Sequence, residues 1–400
     1  MKKTLIAVAA AAALTATSAF AEITFGAWLR SITGVASNGE DIVTGTANSW
    51  SKMRPSRLNV NAVSEDGMAG FKLDIYHEGE DGLGIGDNSY LWIKPIDQLK
   101  LSAGKFDGGE TGLRGDLCYG SWNWLRPFNW IADDEGLTFN GSHKDGLMAH
   151  ITPIDGLVVV IQLPVYNSKW GGNNNAYVAK TATSDAENTA EDTFKNGMYA
   201  AAYSIEGLGT LKAGFFGDYA EKGDYKKTGT VNVAFDLKAV ENLYVTVGAR
   251  FGIADKEYAA DGTKMMFTAG ASYQVSDAMK FSVSGGYVQY QDKCVGKDSD
   301  KKDNAFSIGA GVDYVIMDGL NAAADIRFKN IGYGKEGDDG SVAFLVGVTK
   351  NVSSNGYIGV GFQGSTNGCG LGNPSWNTTI EANAADDFVW AIPVALSVWF

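Results

Sequence analysis

The chain has 400 residues, 45% of them hydrophobic and 12% aromatic, with 51 glycines against 7 prolines and a formal net charge of −13. The acidic balance argues against nucleic acid as a partner, and beyond residue 21 no run of about 18 apolar residues offers a membrane-crossing helix. Apolar and polar residues alternate rather than recurring every third or fourth position, which argues against a helical globular enzyme.

The first segment, residues 1–21, reads as a secretory signal peptide. Lys2 and Lys3 give it a positive start, and Leu5 to Leu14 form an apolar stretch too short to span a bilayer. Ala19-Phe20-Ala21 then supplies a small-x-small cleavage site. The alternative is an uncleaved amino-terminal anchor. Residues 22–400 are expected to form one domain.

From Ile23 the pattern predicts alternating strands, most about ten residues long. They cover 23–32, 57–64, 69–78, 89–95, 99–107, 147–153, 157–166, 198–205, 210–219, 231–237, 243–251, 265–275, 280–290, 305–315, 320–329, 342–350, 357–363 and 388–400. That is an even number, eighteen, which puts both chain ends at one rim of a closed sheet. Short connections such as Lys94-Pro95-Ile96-Asp97-Gln98-Leu99, Thr152-Pro153-Ile154-Asp155-Gly156-Leu157 and Ile316-Met317-Asp318-Gly319-Leu320 carry hairpin-turn chemistry. Long ones, at 33–53, 79–87, 108–144, 167–196, 220–229, 252–262, 291–304, 330–340 and 364–387, are rich in Gly, Asp, Asn, Lys and Ser. The last strand sets Phe388, Trp390, Ile392, Val394, Leu396, Val398 and Phe400 in one apolar column. Its opposite face is smaller and more mixed, as expected where one face meets lipid and the other a lumen.

A β-sandwich would alternate too. Three features favour a transmembrane antiparallel β-barrel of about 16–18 strands, all-β, with short periplasmic turns and long extracellular loops. The strands exceed the usual five or six residues. Ala, Gly and Val fill the faces without the bulky layers a sandwich core needs. Aromatics such as Tyr219, Phe251, Tyr273, Tyr290, Tyr314 and Phe328 gather near strand ends.

The signal peptide, the hairpin rhythm, the terminal Phe400 and the stretch Arg57-Leu58-Asn59-Val60-Asn61-Ala62-Val63-Ser64-Glu65-Asp66-Gly67-Met68-Ala69-Gly70-Phe71-Lys72-Leu73 carry a family likeness. The chain resembles bacterial outer-membrane porins, and that stretch is similar to the second hairpin of general diffusion porins. The resemblance implies residence among outer-membrane lipids and passive diffusion of small hydrophilic solutes and ions. It implies that the closing strand, with Trp390, Val398 and Phe400, is the signal read by the barrel-assembly machinery. Porins of this kind usually have sixteen strands and often form homotrimers. The count of eighteen departs from that, so two weaker strands are false or the relative is a specialised sugar-type porin.

A barrel this wide leaves an aqueous channel. The faces opposite the lipid columns present Arg30, Arg57, Lys72, Lys212, Arg250 and Arg327, together with Asp74, Asp236, Asp313 and Asp325, as candidate pore-lining residues. The wall leans basic while the loops carry the acidic excess. Such charges set ion preference, or simply solvate a wet wall.

The resemblance also implies that the connection after the fifth strand, residues 108–144, folds inward as a constriction loop. It contains Glu110, Arg114, Asp116, Trp122, Trp124 and Arg126. Its aromatics stack on sugar rings, pack the loop to the wall, or form an extra hairpin with residues 137–142.

No Ser-His-Asp group, phosphate loop or zinc motif stands out, so neither catalysis, cofactor nor metal is expected. His143 and His150 near Asp145 keep a hydrolase as a minor alternative, beside a surface barrel that binds a partner through its loops. The odd count of cysteines (Cys118, Cys294, Cys369) allows at most one disulfide.

Overall fold

The structure is a computed structural model, and it describes residues 22–37, 41–46, 56–78, 82–115, 118, 139, 145–164, 190–222, 225–254, 263–290, 304–330, 340–366 and 388–400. The expected signal peptide lies outside these residues. The strands are β1 Glu22–Ser37, β2 Ile42–Thr46, β3 Ser56–Val63, β4 Ala69–Glu78, β5 Gly82–Ile96, β6 Leu99–Lys105, β7 Gly146–Ile154, β8 Leu157–Leu163, β9 Met198–Ile205 and β10 Gly209–Lys222. They continue as β11 Tyr225–Leu237, β12 Leu243–Ala254, β13 Thr263–Ser276, β14 Met279–Tyr290, β15 Asn304–Met317, β16 Leu320–Lys329, β17 Ser341–Ser353, β18 Gly356–Ser365 and β19 Val389–Trp399. A 3₁₀ turn, Gly108–Thr111, and a short helix α1, Ala190–Lys195, complete the described elements.

All pairings are antiparallel, and the sheet closes on itself. β2 lies on residues 33–37 of β1 and β3 on residues 22–29, so the two share one position in the ring. The result is a closed barrel of eighteen strand positions. β1 and β19 form the seam, in register from Trp28↔Trp399 to Ser37↔Trp390. At its end the Ala27 amide donates to the Phe400 carbonyl (3.0 Å) and the Phe400 amide returns a bond to Ala27 (2.8 Å). Closure matters because an open edge in hydrocarbon would strand backbone donors and acceptors at several kcal/mol each.

The faces are inverted relative to a water-soluble protein. Outward positions are apolar and exposed, as at Leu211 (51%), Phe281 (47%) and Ile326 (55%). Inward positions of the same strands carry Lys212, Ser282, Asp325 and Arg327, all buried. Outward aromatics form a girdle at the long-connection rim: Phe251 meets Phe267, Phe306 meets Phe328, and Phe344, Phe362, Phe388 and Trp390 contact one another. Tyr203, Tyr273, Phe281 and Tyr314 stand outward and exposed near the opposite rim. Amphipathic rings settle at both water interfaces of a bilayer.

The short turns are locally determined. In the turn after β3, Ser64 Oγ donates to Asp66 (2.6 Å) and accepts from the Ala69 amide (2.9 Å). The Met68 amide donates to Asp66 (2.9 Å), and Gly67 takes the left-handed conformation at φ 67°. The Ser64 hydroxyl first, and the Met68 amide second, hold the exposed Asp66 carboxyl below its ordinary pKa.

Three of the nine long connections are shorter than the sequence suggests. Segment 33–53 contains the end of β1 and all of β2, segment 79–87 is largely β5, and segment 220–229 is mostly the ends of β10 and β11. In these stretches the backbone ladder continues although no sustained run of large apolar residues marks them as strands.

Candidate functional site

Register and burial together define the inner wall. Arg57 faces Trp28 and Tyr76, Asp74 faces Asn59, Lys72 faces Asn61 and Tyr90, and Lys212 faces Ala202 and Ala234. Asp236 lies opposite Thr246, Arg250 opposite Asn232, Asp313 opposite Lys280, and Asp325 opposite Gly311. Arg30 lies opposite Ser397 on the seam, and Arg327 opposite Gly309. All ten occupy the face away from the exposed apolar columns.

The structure gathers most of these charges into local networks. Asp74 is fully buried and accepts from Arg57, from Asn59, and from both the backbone amide (3.1 Å) and side-chain amide (3.0 Å) of Asn88. Lys212 pairs with Asp236 at 2.5 Å, and Thr246 donates to the other carboxylate oxygen at 2.7 Å. Arg327 reaches Asp325, two residues away on the same strand, at 3.1 Å. Arg30 lies over Trp28, 4.6 Å from the ring centre, and Arg57 over Tyr76 at 5.2 Å. A buried charge is tolerated only when it is paired and hydrogen-bonded in this way.

The connection after β6 turns into the barrel. Its root is tied down by the Asp107 amide, which donates to Asn88 (2.9 Å). The 3₁₀ turn presents Glu110 to Lys72 and to the Tyr90 hydroxyl, which donates at 2.5 Å. His150 Nε2 lies 3.2 Å from the Thr111 carbonyl; a carbonyl only accepts, so that nitrogen is the donor. Phe106, Leu113 and Phe139 are buried on an apolar patch of the inner wall made by Met148, Val160, Met198, Ala200, Ala202 and Ala234. Phe139 meets Phe216 edge-on at 5.4 Å.

Cys118 shows how far the segment travels. It is fully buried, and its carbonyl accepts from Ser282 Oγ at 2.6 Å. A Cβ on Gly270 would stand 2.8 Å from its sulfur. Gly270 and Ser282 belong to β13 and β14, nearly half the ring from β6 and β7. The described residues of this segment therefore touch the wall in two places, Glu110 at β4 and β5 and Cys118 at β13 and β14.

Of the loop residues named from sequence, Glu110 and Arg114 are described, and Glu110 is bonded to the wall through Lys72 and Tyr90. Asp116, Trp122, Trp124 and Arg126 lie outside the described residues, as do Cys294 and Cys369. In the closing strand, Trp390 stacks outward on Phe362 (6.2 Å), Val398 is exposed on the outer face, and Phe400 ends the seam. Sequence reasoning missed Asn59, Asn88, Gly270 and Ser282. Their only signal is an inward position on an alternating strand, which every wall residue shares.

A Gram-negative porin family model matches residues 7–332. The chain belongs to that family and is an integral outer-membrane protein. No curated protein matches its sequence. Among solved structures, in-vitro folded OmpT of Vibrio cholerae is 12% identical, with 94% of this chain and 97% of that chain covered and a TM-score of 0.47. The outer-membrane channel DcaP of Acinetobacter baumannii is 10% identical, with 95% and 97% covered and a TM-score of 0.46. A porin refined at 1.8 Å is 12% identical, with 94% and 100% covered and a TM-score of 0.46.

Proposed function

We propose that the barrel passes small hydrophilic solutes and ions by passive diffusion, through a lumen narrowed by the segment after β6. The observation that carries this reading is the inverted pair of faces, charged inside and apolar outside, around buried contacts of Leu113, Cys118 and Phe139 with the inner wall. A charged wall offers hydrated solutes a path, and an inward segment sets its calibre. We also propose a homotrimer, the form in which OmpT of Vibrio cholerae is described. The closing strand, with Trp390, Val398 and Phe400, is, in this reading, the signal that the barrel-assembly machinery reads.

Single-channel recording of the folded chain, residues 22–400, in a planar bilayer tests the proposal. Stable current steps in molar salt are expected. Their absence from a verified folded barrel would mean a blocked lumen and end the reading.

Charge at the wall should set ion preference. Arg327→Glu turns a paired wall position into two neighbouring carboxylates, and the reversal potential in a potassium chloride gradient should move toward cation selectivity. An unmoved potential would place Arg327 away from the narrow part.

A further inference from the structure

On the inner wall near the short-turn rim, Trp92 stands over Gly70: a Cβ there would lie 2.7 Å from the indole Cζ2. The two are register partners on β4 and β5, so the missing side chain lets the ring lie against the wall. Two ammonium groups attend this ring, Lys100 Nζ at 5.3 Å and Lys94 Nζ at 5.6 Å from its centre, and Lys100 also lies 5.8 Å from the Tyr90 ring. Lys94, Trp92 and Lys100 are half-buried.

The nearby carboxylate is already engaged. Glu110 binds Lys72 and the Tyr90 hydroxyl. Among the described residues, neither Lys94 nor Lys100 has a carboxylate within ion-pair distance. Three ammonium groups thus face one anion on this part of the wall, which leaves a net positive potential beside a flat aromatic surface.

We propose that Trp92, Lys94 and Lys100 form a solute-binding subsite for small carboxylates that carry a flat apolar face, the aromatic carboxylates. The carboxylate is held between the two ammonium groups, and the ring packs against the half-buried indole. A simple aliphatic acid gains only the charge contact, and an uncharged aromatic only the stacking. This rests on the reading of the lumen as a solute path, and it adds the class of solute the path retains.

The test is equilibrium dialysis of radiolabelled benzoate against the folded full chain in detergent, with folding of every variant checked by heat-dependent gel mobility. Saturable binding is expected, with acetate a weak competitor. Lys94→Gln/Lys100→Gln should raise the dissociation constant by about fivefold or more. Trp92→Leu, which leaves the charges in place, should remove the preference for benzoate over acetate. If the double variant does not fold, Lys94→Gln alone carries the same expectation at smaller size. Equal benzoate binding by wild type and lysine variant, or no preference over acetate in the wild type, overturns the subsite. Dialysis needs no current, so a barrel that fails to conduct refutes the channel reading while this result still decides the site.

Discussion

Asp74→Ala is expected to destabilise the folded barrel by about 3–5 kcal/mol, because it removes the buried carboxylate on which the half-buried Arg57 and three amide donors converge. The carboxylate is completely buried and accepts from Arg57, Asn59 and two groups of Asn88, while Arg57 is only 22% exposed. Alanine removes every acceptor at once, and the low-dielectric wall magnifies the loss. The damage should spread to the loop root, since Asn88 also holds the Asp107 amide. Asp74→Asn keeps the shape and one acceptor oxygen, so it should lose roughly half as much. Urea titration in lipid vesicles, followed by heat-dependent gel mobility, reads both variants. A loss for the alanine variant below about 1 kcal/mol would show that water replaces the carboxylate.

The second large effect is expected where the inward segment touches the far wall. Gly270→Leu places a branched side chain where even a Cβ would approach the Cys118 sulfur to 2.8 Å. The segment must lift, and the Ser282 bond to the Cys118 carbonyl is lost with it. A hydrogen bond of this kind contributes about 1 kcal/mol, so local opening should become roughly tenfold more frequent once the clash is added. In a Cys294→Ser/Cys369→Ser background, maleimide labelling of the buried Cys118 should speed up by a comparable factor. Single-channel conductance should change in the same variant. Unaltered labelling would mean that the segment holds its place without this contact.

The barrel was legible in the sequence because lipid imposes a strict rule on every strand. Leu320, Ala322, Ala324, Ile326 and Phe328 share the outer face of β16, and Asn321, Ala323, Asp325, Arg327 and Lys329 the inner face, as the alternation required. Turns such as Asp318-Gly319 announced themselves because their backbone demands those residues. β2 was harder to read: Ile42, Val43, Thr44 and Thr46 are β-branched, but five residues inside a polar connection are too few to show a sustained alternation. The inner face was readable as a list of charges but not as partners. Whether Asp74 meets Arg57 or Asp236 meets Lys212 depends on which strands are neighbours and at what offset, which only pairing reveals. The contacts of Cys118 with Gly270 and Ser282 join positions more than 150 residues apart in sequence, with two small residues on one side. Nothing in either stretch marks it as a landing place.

The antiparallel seam between β1 and β19 also restricts how such a pore can vary in calibre. Its first and last strands can meet antiparallel only while the number of strands is even. Losing one strand would bring parallel neighbours together at the join, with a different bonding pattern and both chain ends no longer at one rim. Because diameter grows with strand number, width is available only in increments of two. Each increment is a complete hairpin, bringing one short turn and one long connection with it. A descendant of this chain with a wider or narrower bore would therefore differ by whole hairpins duplicated or deleted, whereas point substitutions tune what passes through a bore of fixed size.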